Sequence, residues 1–542
     1  MNKQDFVGLH AHSGVGSPFD GFGHPQQHMD FAHENGSTAL ALTDHGNMNG
    51  LAYQVLHAKK MKKEGKDFKP IFGVEAYFIE SVADWKVKLE EHRADKTKSK
   101  KIDDARSGTT VENEAESKQS IKSELNRKRH MVLLAMNQEG LNNIFKLVSQ
   151  SYDGDHFYRK PRIDLDLLAK HNEGVIGMSA CLGGVYAGCY WEHREESPEA
   201  VVGAMRDITT KMLNVFGDRW YGELQWNAIP EQHDLNKYVI QMHEEFGIPL
   251  VSTCDSHYPT PDAWNDRELY KKIGWLGKGK PEWMSDELPE GVDEIGYELY
   301  PKNGEQMWSD YERYSAACNV SYDDAIIRRS MLETVEIAFN RIDSFLPDNT
   351  VRLPDFVVPA GHHPAEYLSQ LSFEGLFKIM ASRSIEKGSS SWSEYTERLT
   401  HELKVIADRG FSKYFLTMKS ITDKTNEVQL AGPGRGSAAG SLVAYALGIT
   451  QVDPIKYGLL FSRFLRADAT DYPDIDYDVS DPMVLKEILI NEWGSNTVVP
   501  ISNFNTLQLR SLIKDISKFY DIEFTEVNRV TNTMMSEATP LA

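Results

Sequence analysis

The sequence predicts an α/β protein whose N-terminal half is a closed barrel of alternating strands and helices. Seven short apolar segments between residues 6 and 257 have the length and composition of buried strands. Helical stretches separate several of them, and such alternation is typical of a parallel sheet. Seven units favour a closed barrel, and an open doubly wound sheet is the alternative.

The predicted strands and helices follow each other in a regular order. The strands cover residues 6–12, 38–45, 71–78, 130–136, 173–181, 220–226 and 248–257, and the helices between them cover 26–36, 50–64, 138–150 and 231–246. A segment at 86–128 interrupts the pattern, because 21 of its 43 residues are charged. This composition predicts an exposed, partly disordered insertion, in preference to a DNA contact.

Beyond the barrel the pattern changes. Residues 261–300 show no clear hydrophobic period, which predicts a junction between domains. Helices are predicted over 321–343, 364–384 and 393–409. A glycine-rich loop and an alternating acidic strand follow them.

Composition limits the classes of function. A chain of 542 residues has room for two or more domains, and no apolar run is long enough to span a membrane. The N-terminus lacks a signal peptide, and four cysteines in so long a chain fit a reducing cytoplasm. A net charge of −21 argues against a simple nucleic-acid binder, although residues 404–470 carry nine Lys and Arg against five Asp and Glu.

Metal-binding residue types lie at the ends of six of the seven predicted strands. These residues are His10, His12, Asp44, His45, Glu75, His130 (at the start of its strand), Cys181, Asp255 and His257. Ligands gather at the carboxyl ends of parallel strands, where the loops converge. A His-x-His pair on a strand places both imidazoles on one face. Imidazole and carboxylate groups together predict a site for zinc, manganese or iron.

The motifs HAH, LTDHGNMNG, GVEAY, HMVLL, SACLGG and DSHY resemble those of the polymerase-and-histidinol-phosphatase (PHP) domain that opens bacterial replicative DNA polymerases. The resemblance implies a distorted β/α barrel holding Zn²⁺ or Mn²⁺. The implied ligands are His10, His12, Asp20, His45, Glu75, His130, Cys181, Asp255 and His257. A complete set implies a working phosphoesterase, with 3′–5′ exonuclease activity expected. A metal site kept only to hold the barrel together is the alternative.

The run Pro473-Asp474-Ile475-Asp476-Tyr477-Asp478 places three carboxylates on one face of a strand, roughly 7 Å apart. Like charges so close indicate divalent cations between them. Upstream, Gly432-Pro433-Gly434-Arg435-Gly436-Ser437 supplies close backbone N–H groups and one guanidinium for a phosphate. Together the two segments predict a nucleotidyl-transfer site.

AGPGRGSAAGSLVAYALGIT, VDPIKYGLLFSRFL and YPDIDYD resemble the palm of the bacterial DNA polymerase III alpha family, an α+β, nucleotidyltransferase-like domain. The resemblance implies that Asp474 and Asp476 bind Mg²⁺, and that the incoming dNTP is held by Gly434, Arg435, Gly436, Ser437 and Arg463. It divides the chain into a PHP domain at 1–260, a junction at 261–300, a palm at 301–490 and the start of a thumb at 491–542.

The same resemblance implies partners. The family's third catalytic aspartate and its fingers are expected beyond the thumb, so we expect a truncated chain or one part of a split polymerase, completed by a second chain. Primer–template DNA is the expected substrate, and a sliding clamp is expected to bind through that second chain in the cytoplasm. A stand-alone PHP phosphoesterase or pyrophosphatase with a DNA-binding C-terminal half is the alternative function.

Overall fold

The computed structural model describes residues 1–103, 126, 128–276, 287–348, 350, 356–466, 472–495, 497–499, 501 and 508–534. The chain divides into two compact units. The first consists of Met1–Asp348 with Leu507–Ala542, and the second of Asn349–Thr506.

A curled, six-stranded sheet forms the centre of the first unit. Its strands are β1 (Ala39–Leu42), β2 (Lys69–Phe78), β3 (Arg129–Ala135), β6 (Val175–Met178), β7 (Trp220–Gln225) and β8 (Leu250–Thr253), hydrogen-bonded in that order. A separate hairpin pairs β4 (Phe157–Tyr158) with β5 (Lys160–Pro161). The strands of the sheet are almost wholly buried, which explains their continuous apolar runs.

The first predicted strand joins the two edges of the sheet. Gly8 bridges Leu40 in β1, and Ala11 bridges Ser256 just after β8. The amide of His12 donates to the carbonyl of Ser256 at 2.7 Å. The segment forms these isolated bridges in place of a continuous ladder. The predicted α/β barrel is therefore confirmed, in a distorted form.

The sheet is mixed, whereas the strand–helix alternation predicted a parallel one. β1 pairs with β2 in parallel, and β6 with β7 and β7 with β8 likewise. β3 runs antiparallel to both β2 and β6. Strand–helix alternation therefore did not predict the direction of β3.

Helices cover the barrel. They span Pro25–Glu34, Leu51–Lys63, Val82–Asp103, Gln138–Ser151, Leu165–Lys170, Val185–His193, Pro198–Phe216, Pro230–Phe246, Trp264–Trp275, Val292–Ile295, Gly304–Ala317, Asp324–Glu336, Leu509–Phe519 and Phe524–Thr531. The sequence pattern missed several of them, including Pro198–Phe216. The helix Val82–Asp103 takes up the start of the charged insertion, and residues 104–125 and 127 of that insertion lie outside the described residues.

Residues 301–348, which the resemblance assigned to the palm, pack with the barrel. Thr334 Oγ1 accepts a hydrogen bond from the amide of Val7 at 2.9 Å, and Ser330 Oγ lies 2.7 Å from Ser252 Oγ on β8. Lys69 Nζ donates to the carbonyl of Ala338 at 2.6 Å. Packing therefore divides the chain near residue 348. The functional boundary at residue 300 stays a prediction.

The second unit is helical over its described residues. Its helices are Pro364–Ser382, Ser390–Asp408, Ser412–Val428, Leu442–Ala446 and Pro482–Trp493, packed around side chains such as Leu376, Leu399 and Phe415. The acidic segment, predicted as a strand, is extended but forms one isolated bridge, between Ala431 and Val479. Among the described helices of both units, none is long and apolar enough to cross a membrane.

Candidate functional sites

The nine side chains predicted as metal ligands in the barrel meet at one edge of the sheet. β1, β2, β6 and β8 reach this edge with their carboxyl ends, and β3 reaches it with its amino end because it runs antiparallel. This direction explains why His130 stands at the start of its strand while His45 and Asp255 follow the ends of theirs. The structure brings the predicted set together.

Glu75, which is 1% exposed, lies at the centre of the cluster. Its carboxylate oxygens are 2.5 Å from His45 Nδ1 and 2.8 Å from His130 Nδ1. They are also 3.3 Å from His12 Nε2 and 3.5 Å from His10 Nε2. Although burial opposes the shift, the charges of His130 and His45 hold the pKa of Glu75 well below its usual range. Glu75 is therefore an ionised carboxylate with imidazoles on both oxygens.

Asp255 faces the same imidazoles from the other side. Its Oδ1 atom lies 3.2 Å from both His10 Nε2 and His12 Nε2. The residue has a φ of 47°, a left-handed backbone conformation that is unfavourable for a side chain with a Cβ. Burial and the neighbouring His45 and His257 lower the pKa of His12 to about 3, so its imidazole is neutral. A neutral imidazole beside a carboxylate is ready to bind a cation.

Asp20 links His45 and His257 at the open side of the cluster. Its Oδ2 atom is 3.0 Å from His45 Nε2 and 3.6 Å from His257 Nε2, and the side chain is 41% exposed. Arg267, which is almost fully buried, donates from Nη2 to Asp20 Oδ1 at 2.7 Å and from Nε to the Asp20 carbonyl at 2.8 Å. Arg267 thus fixes Asp20 in place. No sequence motif identified it.

Five buried polar atoms of the cluster approach one another to between 2.5 and 3.3 Å but have no partner in hydrogen-bonding geometry: His10 Nε2, His12 Nε2, His45 Nδ1, Glu75 Oε2 and Asp255 Oδ1. Unpaired buried polar atoms are unfavourable unless another group satisfies them. The described residues offer three overlapping triplets whose ligand atoms lie within 4.8 Å of one another: His12, His45, His257; His10, His12, Glu75; and His45, Glu75, His130. The donor set therefore fits divalent metal ions.

Cys181 lies at the edge of the cluster. Its Sγ atom is 3.8 Å from His130 Nδ1 and 3.9 Å from Glu75 Oε1. Burial and the charge of Glu75 raise the pKa of this thiol well above its usual value. Without a cation beside it, the sulfur is therefore a thiol.

Glu223 is a functional residue that the sequence reasoning missed. Its Oε1 atom lies 2.7 Å from His10 Nδ1 and accepts from Thr253 Oγ1 and Gln225 Nε2. It therefore orients the His10 ring so that Nε2 faces Glu75 and Asp255. A lone acidic residue in a predicted strand with no other charge, WYGELQW, was the signal that could have identified it.

The acidic segment of the second unit keeps its alternation without forming a ladder. Asp474, Asp476 and Asp478 are exposed, whereas Pro473 and Ile475 are buried and Tyr477 is partly buried. The three carboxylates thus share the solvent side, as the sequence predicted. No triplet with ligand atoms within 4.8 Å of one another is found among the described residues of this unit.

The glycine loop lies against the acidic segment. The amide of Gly432 donates to the carbonyl of Asp478 at 2.9 Å. Gly436 has a φ of 64°, and a Cβ placed there would overlap the carboxylate of Asp476. Arg435 donates from Nη1 to Asp478 Oδ1 at 3.0 Å, and both side chains are exposed. Glycine at 436 therefore permits the close approach of loop and carboxylate.

Arg463 belongs to a separate turn that packs next to the turn Ser437–Gly440. It ends the short 3₁₀ turn Phe461–Arg463, where its side chain is exposed. Ser437 begins the 3₁₀ turn Ser437–Gly440 directly after the glycine loop. The sequence predicts that Ser437 and the loop bind a triphosphate together. The roles of Gly434, Arg435, Gly436, Ser437 and Arg463 in nucleotide binding stay predictions.

Comparison with known proteins identifies both units. Residues 8–227 match the PHP domain family, so the barrel is a PHP domain. Residues 366–541 match the bacterial DNA polymerase III alpha NTPase domain. The chain therefore carries the domains of the DNA polymerase III alpha family and corresponds to the N-terminal portion of an alpha subunit.

Curated relatives match nearly the whole chain. DNA polymerase III subunit alpha of Aquifex aeolicus is 34% identical over 97% of this chain and 41% of its own length. The subunit of Borreliella burgdorferi is 32% identical over 98% of this chain and 40% of its own length. This chain thus spans about two fifths of these relatives. Among solved structures, an amidohydrolase from Chromobacterium violaceum covers 49% of this chain and 96% of its own at 13% identity, with a TM-score of 0.26.

Proposed function

We propose that the PHP domain is a metal-dependent phosphoesterase that removes nucleotides from DNA 3′ ends. The observation that carries this proposal is the set of five buried ligand atoms without hydrogen bonds at one edge of the barrel. His10, His12, Asp20, His45, Glu75, His130, Cys181, Asp255 and His257 are the proposed ligands of Zn²⁺ or Mn²⁺. Such ions, when bound, lower the pKa of a bound water and offset the charge of a phosphoester.

The protein side chains have separate tasks in this proposal. Glu75 and Asp255 supply negative charge inside the barrel, where little water competes for it. Glu223 holds His10 in the orientation that exposes Nε2 to the cluster. Asp20 is the most exposed of these carboxylates, so the substrate phosphate approaches from its side.

We further propose that Asp474 and Asp476 bind Mg²⁺ for the addition of dNTPs to a primer 3′-hydroxyl. Gly434, Arg435, Gly436, Ser437 and Arg463 hold the triphosphate. The close contact of Gly436 with Asp476 supports this assignment, since it sets the loop beside the carboxylate. Magnesium held by aspartates brings the hydroxyl and the triphosphate together and offsets the charge of the leaving pyrophosphate.

Polymerisation in this proposal needs the remaining segments of an alpha subunit, from the same polypeptide or from a complementary chain. That part also carries the contact with a sliding clamp. Primer–template DNA and dNTPs are the substrates, and the cytoplasm is the proposed location. The four cysteines, all free, fit a reducing compartment.

The test separates the two sites. We expect Mn²⁺ or Zn²⁺ to support 3′–5′ degradation of a primer by this chain, and His10→Ala or Asp255→Ala to abolish it. Asp474→Ala leaves the degradation intact but abolishes Mg²⁺-dependent extension in the presence of the remaining alpha segments. His171→Ala and Asp408→Ala, outside both sites, are the matched controls. Degradation at the wild-type rate in the His10→Ala protein would mean that the barrel is not the nuclease.

One observation favours a second function, a phosphoesterase or pyrophosphatase whose C-terminal half only binds DNA. Arg435 is paired with Asp478, so a triphosphate must first displace that carboxylate. Extension assays decide between the two functions. Absence of extension by the unsubstituted chain in a verified complex with the remaining segments, together with hydrolysis that survives Asp474→Ala, would favour this second function.

A further inference from the structure

Two lysine side chains approach one aromatic ring beside the metal-ligand cluster. Lys128 Nζ lies 5.4 Å and Lys160 Nζ 5.3 Å from the centroid of the Tyr77 ring. The Tyr77 ring in turn stacks on His45, with 6.1 Å between centroids, and lies edge-on to His130 at 5.4 Å. A single ring therefore separates the two ammonium groups from two of the proposed ligands.

The positive charges of this group are not neutralised nearby. Arg159 adds a third cation, with a φ of 60° at the tip of the β4–β5 hairpin. Burial and the charges of Lys160 and Arg159 lower the pKa of Lys128, so the three repel one another. Within the described part of the barrel unit, none of the three forms an ion pair with a carboxylate. Clustered cations of this kind, in a chain with a net charge of −21, indicate an anionic ligand.

The hairpin that presents Arg159 and Lys160 is held rigidly. Arg162, which is 2% exposed, donates from Nη2 and Nε to two carbonyl groups of the preceding turn at 2.7 and 3.1 Å. Its guanidinium lies 3.7 Å from the centroid of the Trp85 ring. Pro161 lies against Gly46, where a Cβ would come within 2.9 Å of it. The hairpin is thereby fixed next to the loop that carries His45.

An exposed aromatic pair adjoins the cations. The rings of Tyr152 and Phe157 stack at 5.8 Å and 20°, and the two side chains are 49% and 46% exposed. Tyr152 lies close enough to Tyr77 to contribute to its raised pKa. Stacked aromatic faces beside cations are how proteins bind single-stranded nucleic acid, because bases stack on the rings while phosphates meet the charges. A small phosphomonoester has no base to occupy such a surface.

We propose that Lys128, Arg159 and Lys160, together with Tyr152 and Phe157, bind the single-stranded nucleotides next to the bond that the barrel hydrolyses. This inference rests on the proposed phosphoesterase function and specifies its substrate. The ligand is a frayed, unpaired DNA end of two or more nucleotides. The cations take the phosphate adjacent to the scissile one, and the aromatic pair takes a base.

The kinetic test uses the full chain with Mn²⁺ and the chromogenic diester bis(p-nitrophenyl) phosphate, with trithymidylate as a competitive inhibitor. We expect Lys128→Gln/Lys160→Gln to raise the inhibition constant of trithymidylate about tenfold. The slope of the logarithm of this constant against the logarithm of the salt concentration should fall by about 1.4. The KM for the diester, which has one phosphate, stays unchanged. The control Lys62→Gln/Lys63→Gln removes the same charge at exposed positions on the helix Leu51–Lys63. Phe157→Ala should weaken the binding of trithymidylate about tenfold and leave inhibition by tripolyphosphate unchanged.

A second readout needs no activity. In EDTA, trithymidylate carrying 5-iodouracil is expected to cross-link on irradiation to the peptides that contain Tyr152 and Phe157, and less so in the lysine double variant. Cross-links confined to other peptides overturn the inference. So does an unchanged inhibition constant with normal diester hydrolysis, or an equal rise in the KM of the diester. If the wild-type chain hydrolyses no diester with any metal, the proposed phosphoesterase function fails, and the inference fails with it.

Discussion

The substitution Gly436→Ala tests whether the glycine loop and the acidic segment form one site. Gly436 has a φ of 64°, and alanine in this region costs about 1 kcal/mol. Its Cβ would also overlap Asp476 Oδ2 and come within 3.1 Å of Asp476 Cγ. Because Asp476 is exposed, its side chain can turn away at a further cost of about 1 kcal/mol. The unit should therefore stay folded, with a displaced carboxylate.

Gly410→Ala is the matched control. Gly410 has a φ of 74° in the same unit, but no atom lies within 4 Å of the position of its Cβ. We expect both variants to lose about 1 to 2 kcal/mol of unfolding free energy, measured by urea denaturation. Only Gly436→Ala should lose function, because a catalytic group misplaced by about 1 Å costs on the order of 100-fold in rate.

The assay has two parts. Binding of Mn²⁺ to the acidic segment is followed by electron paramagnetic resonance, in a His10→Ala background so that the barrel contributes less signal. Primer extension is measured with the remaining alpha segments present. Equal Mn²⁺ affinity and equal extension in the two variants would refute the argument that Gly436 permits the position of Asp476.

Three further predictions concern the barrel and the core of the second unit. Arg267→Lys should weaken Mn²⁺ binding to the barrel by about tenfold, measured by equilibrium dialysis, because it removes the paired hydrogen bonds that hold Asp20; unchanged affinity would contradict this role. Gly140→Ala should lower the melting temperature of the barrel markedly, since the new Cβ would overlap a backbone carbonyl. Gly203→Ala, in open space within a helix, should instead add about 0.5 to 1 kcal/mol to the unfolding free energy. Similar melting temperatures for the two variants would mean that the packing is not as described. Burial raises the pKa of Glu402, so the folded chain binds the carboxyl proton of Glu402 more tightly than the unfolded chain does. The contribution of this proton to folding stability is therefore lost as pH rises above about 4.5. The unfolding free energy of Glu402→Gln relative to the original chain should therefore increase between pH 4.5 and 8, and a decrease would show that the Arg398 ion pair dominates.

The sequence predicted the barrel well because buried strands have a local signature. Continuous apolar runs located six strands of the sheet, and five of these strands lead to residues of the metal-ligand cluster. Strand direction has no such signature. β3 runs antiparallel to both of its neighbours, and the apolar pattern of a buried strand is the same in both directions.

Residues that support the ligands were harder to predict than the ligands themselves. Glu223 and Arg267 belong to no motif, and each acts through one contact with a residue that is distant in the chain. Glu223 is 213 positions from His10, and Arg267 is 247 positions from Asp20. Such pairs arise from the closure of the barrel and leave no periodic trace in the sequence.

The acidic segment shows a different limit. Alternation correctly placed Asp474, Asp476 and Asp478 on one side, because an extended chain alternates its side chains whether or not it pairs with a neighbour. A strand ladder needs a partner, and here the partner is a single bridge between Ala431 and Val479. The prediction of a sheet strand was therefore wrong for the described residues, although the arrangement of the carboxylates was right.

The two sites differ in how far their side chains are already arranged for ligand binding, and the burial of those side chains explains the difference. In the barrel, the ligand atoms are buried and already within 4.8 Å of one another in overlapping triplets, so a cation needs little rearrangement to bind. In the second unit, the carboxylates are exposed and Arg435 is engaged with Asp478, so binding a triphosphate must first break that pair. An exposed ion pair is worth only about 0–1 kcal/mol, which a triphosphate with its metal can readily replace. The Arg435–Asp478 pair is therefore compatible with a resting state of the nucleotide site, and the barrel is the site to test first with this chain alone.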